Sequence, residues 1–289
     1  MNIKGIKQRA TELLVNCQPQ FIRILTIMML IGLIQTLFLE LPAFLGIITL
    51  GVLIVFLPFS HGYVVSSLKI VRNNHEALSD EDAWVGFKRF KELFPTYLLL
   101  ELTLCGIVFV FALFLTIISI IMVGGMLGSI SYYAGAEDIL ISMVRYAPMA
   151  LFFLIIVALL VMIVAYIISQ FLFAVPYLLE QYHMKNGRAI SESMKFIRGH
   201  MIDLFKLDIS FWGWIFLAGL ISGLVMALLG DSIFVTLLAS AAAGLFSIYT
   251  YYPKYQLSRA IFFEEIAYRR YGMESVQSTA VDQDELIGE

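Results

Sequence analysis

Residues 189–214 read AISESMKFIRGHMIDLFKLDISFWGW, and the change of pattern within this stretch decides the fold. Ile190, Met194, Ile197, Met201 and Phe205 recur at helical spacing and form an apolar stripe, while Glu192, Lys195, Arg198, His200 and Asp203 fall away from it. That pattern predicts an amphipathic helix lying on a membrane surface. From Ile209 onward the chain becomes apolar all round, with Trp212 and Trp214 placed where aromatic rings anchor at a bilayer interface. The expectation is one unbroken helix that passes from bilayer surface to bilayer core.

Outward from this stretch the whole chain follows the same rule. Of its 289 residues 60% are hydrophobic and only 14% charged, with a mean hydropathy of +0.88, which excludes a soluble globular domain. The net charge of −3 says little about partners, because the charges are gathered into a few stretches and absent from long ones. Two cysteines, Cys17 and Cys105, suggest neither a disulfide framework nor a metal site.

Six apolar runs approach the ~20 residues that a ~30 Å hydrocarbon core requires. They cover about 21–39, 41–59, the run after Pro95, 148–175, 209–229 and 233–252. Residues 1–20 read as a short interfacial helix with Lys4, Lys7 and Arg9, followed by an uncleaved first span. Short links at Glu40-Leu41-Pro42 and Gly230-Asp231-Ser232 force tight hairpins. Ser79 and Asp82 have the spacing of a capping box, so a surface helix is expected over AWVGFKRFKELF before the third span. Gly124 and Gly128 have the GxxxG spacing, and Glu137, Asp138 and Arg145 read as a loop before span four. The end of the chain, 273–289, is acidic and reads as a disordered tail after a single six-span domain over 1–272.

Charge sets the expected orientation. Of the nineteen Lys and Arg residues, Arg145 alone falls on the opposite side from the rest if both termini share a side, so both termini are expected to be cytoplasmic. Pro58, Pro176 and Pro253 each stand near the inner surface at the end of a unit. The fold class read from this order is an all-α integral membrane protein: a six-transmembrane helix bundle built as three hairpins, with cytoplasmic amphipathic helices.

Few residues point to chemistry. His61, His75, His183 and His200 lack the spacing of a metal-binding pair, and no phosphate loop, dinucleotide fingerprint or nucleophile elbow occurs. No enzyme activity, metal or cofactor is expected. Carboxylates within spans are costly, so Glu101 and Asp208 are candidates for a polar intramembrane site that Gln35 and Gln170 would extend, with Arg23, Lys206, Lys254 or Arg259 as ion-pair partners. The basic residues Lys88, Arg89, Lys91, Lys185, Arg188, Lys195 and Arg198 are candidate contacts for anionic lipid of the inner leaflet. Their helices face the bilayer, which disfavours nucleic acid, and a protein partner stays open.

Met194, Arg198-Gly199, Leu204-Phe205, Asp208 and Ser210-Phe211-Trp212-Gly213-Trp214, together with PKYQLSRAIFFEE at 253–265, resemble the uncharacterised bacterial membrane proteins catalogued as domain of unknown function 975. That family is similar in turn to the membrane region of some glycerophosphodiester phosphodiesterases. The middle of span six, AAAGLFSIYTYYP, departs from the pattern. The resemblance implies a six-span plasma-membrane protein and assigns no reaction. Two functions follow as expectations: a non-enzymatic protein that engages lipid or a partner in envelope homeostasis, or a small transporter or lipid-translocating subunit with a polar site in the cytoplasmic half of the bundle.

Overall fold

The computed structural model describes residues 1–40, 46–72, 77–131, 136–230 and 232–272, with side chains described outside 122–150. The acidic segment 273–289, expected from its sequence to be disordered, lies outside these residues. Among the described residues the regular structure is all helical: α1 (Ile3–Leu39), α2 (Gly46–Phe56), α3 (His61–Val71), α4 (Val85–Lys88), α5 (Phe90–Ser131), α6 (Ala136–Phe171), α7 (Val175–Tyr182), α8 (Asn186–Ile197), α9 (Met201–Leu229), α10 (Ile233–Thr250) and α11 (Tyr252–Tyr271). Six stretches among the described residues are long and apolar enough to cross a membrane: Ile3–Leu39, Gly46–Val71, Phe90–Ile121, Leu151–Tyr182, Met201–Leu229 and Ile233–Thr250. The chain is a multi-pass membrane protein.

It divides into two compact units, Met1–Leu98 with Phe173–Glu289, and Leu99–Leu172. In the first, Asn2 caps α1 by accepting from the Gly5 N–H at 3.2 Å. The helix then continues for 37 residues through Pro19. At ~1.5 Å per residue that is roughly 55 Å, well beyond the ~30 Å of a hydrocarbon core, so much of α1 lies outside the core. The expected short interfacial helix and first span are therefore one rod. Ile6, Ala10, Leu14, Cys17, Phe21, Leu25 and Met28 are buried at helical spacing along it, where it packs on α10 and α11.

α11 is the centre of this unit. Leu257, Ala260, Ile261, Phe262 and Phe263 are fully buried, and Tyr177 of α7 and Phe196 of α8 stack on Phe263 at 4.8 and 4.9 Å. The α8 stripe therefore finds protein where the sequence predicts lipid: Ile190 and Ile197 are buried within the unit, while Met194 and Phe205 stay exposed. Nor does α8 run on into α9. Arg198 leaves the helical conformation at ψ 124° and Gly199 adopts φ +88°, a left-handed geometry that ends a helix without a Cβ clash.

The capping box is present, with the Ser79 N–H donating to Asp82 Oδ2 at 3.2 Å, and it opens a short 3-10 turn over Asp80–Trp84 that leads into α4. Lys69 donates to the other Asp82 oxygen at 2.7 Å, which satisfies this buried carboxylate. α5 begins at Phe90 and carries Pro95 inside it, so the third span starts earlier than the proline suggests.

The second unit continues α5 and carries α6. Thr103, Thr116 and Ser119 donate back to the carbonyls of Leu99, Ala112 and Leu115, which hides their hydroxyls from an apolar surrounding. The backbone of α6 is already helical at Ala136, so Glu137, Asp138 and Arg145 belong to a helix and not to a loop. Gly124 and Gly128 lie in the backbone of α5, outside the residues whose side chains are described.

Candidate functional site

Two polar clusters lie in the first unit. In one, His61 at the start of α3 is fully buried; its Nδ1 lies 3.0 Å from the Tyr97 hydroxyl and its Nε2 2.9 Å from Glu180 Oε2. Arg89 donates to the same Glu180 oxygen at 2.7 Å and to Glu92 at 3.0 Å, and Lys185 lies 3.4 Å from Glu92. Burial opposes the Arg89 charge, but the hydrogen bonds and charges of Glu92 and Glu180 outweigh it and hold the guanidinium above its ordinary range. Beside this cluster, Thr96 donates to the Asn186 side chain at 3.3 Å and accepts from its N–H at 3.0 Å. Every member therefore finds its complement in another segment, and the group ties α3, α5, α7 and the start of α8 together.

The second cluster surrounds Asp208. Its carboxylate is almost fully buried in α9, with Oδ1 4.0 Å from Arg259 Nε of α11. Arg259 donates to the Tyr255 hydroxyl at 3.2 Å, and its guanidinium lies over the Phe173 and Tyr255 rings at 4.7 and 5.4 Å. Tyr255 is hydrogen-bonded to Asp208, and burial pushes its hydroxyl up to about 12, against the opposing charge of Arg259. Tyr255 thus stays protonated at any physiological pH. Tyr63 of α3 and Tyr252 of α11 bond to each other beside this group, their rings edge-on at 5.6 Å.

The four intramembrane candidates fall in different units. Asp208 belongs to the Arg259 cluster, and Gln35 is half-buried on α1. Glu101 and Gln170 belong to the other unit, Glu101 half-buried and Gln170 buried. Of the other cations considered as partners, Arg23 pairs with Asp80, Lys206 lies 3.8 Å from Asp203, and Lys254 has no ion pair among the described residues.

The seven basic candidates separate into two sets. Lys88 pairs with Glu81, Arg89 with Glu180 and Glu92, Lys185 with Glu92, and Lys195 with Glu192 at 3.8 Å. Lys91, Arg188 and Arg198 are exposed and have no carboxylate partner among the described residues. Glu192 is further held by Arg270 at 2.7 Å and by the Tyr271 hydroxyl at 3.0 Å. Among the described residues, no three His, Cys, Asp or Glu side chains come together as a metal site.

Sequence reasoning missed the His61 cluster. His61 and Glu180 stand 119 residues apart and neither has a motif around it. The one available signal was that His61 follows Pro58 at a break between two apolar helices, a place where a buried polar group needs a partner.

A family model described as protein of unknown function, DUF975, matches residues 1–270. The chain belongs to that family. No curated protein matches it, and no solved structure does. Membership in the DUF975 family extends over all six candidate spans and both polar clusters.

Proposed function

We propose that this DUF975 member is a non-enzymatic plasma-membrane protein of a bacterium, built as three helical hairpins with both termini cytoplasmic, that engages anionic lipid head groups or a partner through its cytoplasmic amphipathic helices in support of the envelope. The observation that carries this reading is the division of the cations. Arg89 and Lys185 are matched by Glu180 and Glu92, whereas Lys91, Arg188 and Arg198 are exposed with no carboxylate partner among the described residues. With the apolar side of α8 covered by the protein itself, its polar side, with Arg188 and Lys195, is what faces outward.

A basic residue close to an anionic surface contributes about 1 kcal/mol, so the three together are expected to contribute on the order of 3 kcal/mol. The test is native mass spectrometry of the full chain from mild detergent with added phosphatidylglycerol or phosphatidylcholine. Retention of phosphatidylglycerol over phosphatidylcholine, lost on the order of a hundredfold in a Lys91→Ala/Arg188→Ala/Arg198→Ala variant, supports the reading. Equal retention of the two lipids by the parent, or an unchanged variant, overturns it.

A further inference from the structure

A groove follows one face of α1 where that helix meets the joint between α10 and α11. Its inner part is a cavity of about 190 Å³, to which Thr11 and Gln18 contribute from α1 and Thr250 and Lys254 from the joint. Its outer part, of about 770 Å³, is open along the side of the helix and is walled by Val15, Pro19, Ile22, Ile27 and Tyr249. The lining positions on α1 recur at helical spacing from Thr11 to Ile27, a trough roughly 24 Å long.

The two ends of the trough differ in chemistry. Arg23 and Asp80 pair with each other on one wall and neutralise their charges. Lys254 is half-buried and makes no ion pair or hydrogen bond with any described residue, which leaves it as the groove's uncompensated charge. A partly desolvated ammonium calls for a counter-charge. Gln18 adds two amide donors beside it. Pro19 offers no N–H to the Val15 carbonyl, so this turn also carries a spare acceptor for a hydroxyl. Away from Lys254, apart from Thr26 and the mutually paired Arg23 and Asp80, the walls are apolar, and Val15 is 71% and Tyr249 66% exposed. A cationic end joined to an apolar trough that runs along a helix into its membrane-spanning half matches a molecule with an anionic head and a hydrocarbon tail.

We propose that this groove holds one anionic glycerophospholipid of the surrounding bilayer, its phosphodiester at Lys254 and Gln18 and an acyl chain along Val15, Pro19 and Ile22. The proposal rests on the lipid-engaging reading above and gives it a defined site, separate from the exposed cations.

The test uses the full chain in nanodiscs containing phosphatidylglycerol with a photoactivatable diazirine in its acyl chain, followed by trypsin and mass spectrometry. Cleavage after Arg9 and Arg23 releases residues 10–23, which carry the inner turns of the groove. Label is expected on that peptide, about fivefold less with the phosphatidylcholine analogue, about fivefold less in Lys254→Ala, and retained in Lys254→Arg. Absence of label on residues 10–23, equal labelling by the two lipids, or an unchanged Lys254→Ala variant overturns the proposal. If Lys254→Ala does not fold, Val15→Trp blocks the trough from its exposed side and is expected to remove the label without changing the melting temperature; persistence of the label overturns the site. The Lys91/Arg188/Arg198 triple variant separates the two readings. Groove labelling that survives the triple variant while surface retention is unaffected leaves the groove standing alone. Loss of surface retention with groove labelling insensitive to Lys254 leaves only the surface reading.

Discussion

The first unit contains two kinds of helix surface. Around α11, side chains of α1, α3, α7 and α8 close over a core in which Leu257, Ile261, Phe262 and Phe263 are fully buried, and charged groups meet across long sequence separations. Along α9 and α10 the pattern reverses: Phe216 is 68%, Leu224 60%, Leu228 73% and Phe234 80% exposed. In water such apolar exposure would be prohibitive, but lipid is as apolar as leucine, and there association relies on packing and hydrogen bonds. The difference teaches that specificity of structure is concentrated where helices leave the hydrocarbon, because only there do burial and ion pairing both distinguish one arrangement from another.

The comparison can be broken most directly with phenylalanine. Phe263→Ala opens a cavity under Tyr177 and Phe196 and is expected to cost about 3–5 kcal/mol, read as a large fall in melting temperature in detergent; Phe216→Ala on the lipid-facing side of α9 should leave it nearly unchanged. Equal shifts would erase the distinction between the two surfaces.

Glycine sharpens the same contrast. A Cβ at Gly86 would stand 2.2 Å from the Pro58 carbonyl oxygen and 2.7 Å from the Phe59 Cα, both backbone atoms that cannot swing aside. Gly86→Ala is therefore expected to destabilise by about 1–3 kcal/mol or more. Gly213 on α9 has nothing within 4 Å of such a Cβ, and Gly213→Ala should be neutral or raise stability by up to about 1 kcal/mol through helix propensity. Thermal scans of the two variants side by side decide it.

The polar clusters give the next effects. Glu180→Gln keeps the size of the side chain but removes the charge that His61 and Arg89 share, and a loss of about 1–3 kcal/mol is expected. Asp208→Asn should be the milder of the two, about 1 kcal/mol, because Tyr255 can still donate to the amide oxygen and Arg259 retains its aromatic neighbours. Proteolysis midpoints in denaturant would measure both. An Asp208→Asn protein that fails to fold while Asp208→Glu folds would show that the charge itself is required.

How far the amino-acid order reaches is visible in particular residues. The candidate spans were legible because twenty apolar residues in a row admit few alternatives in water. The Ser79–Asp82 cap was legible because its two bonds close within four residues. The stripe of α8 was also legible, but its cover was not: periodicity states which side of a helix is apolar and is silent on whether protein or lipid meets it. Gly199 carried a stop signal that the continuing apolar pattern obscured. Among the candidate site residues, the basic clusters could be found from local charge. Their division into paired and exposed members depended on carboxylates such as Glu180, which approaches Arg89 from 91 positions away.

By itself, then, the sequence determined that this is a helical membrane protein with six candidate spans and segregated charge, because hydrophobic length and local caps act over one helix or less. Only the tertiary structure decided that His61, Arg89 and Glu180 form one cluster, that α8 is covered by Phe263, and that Lys254 lines a groove along α1 with no ion pair among the described residues. Those outcomes depend on which distant helices come within a few ångströms of each other, and electrostatic and packing energies change most steeply over that range.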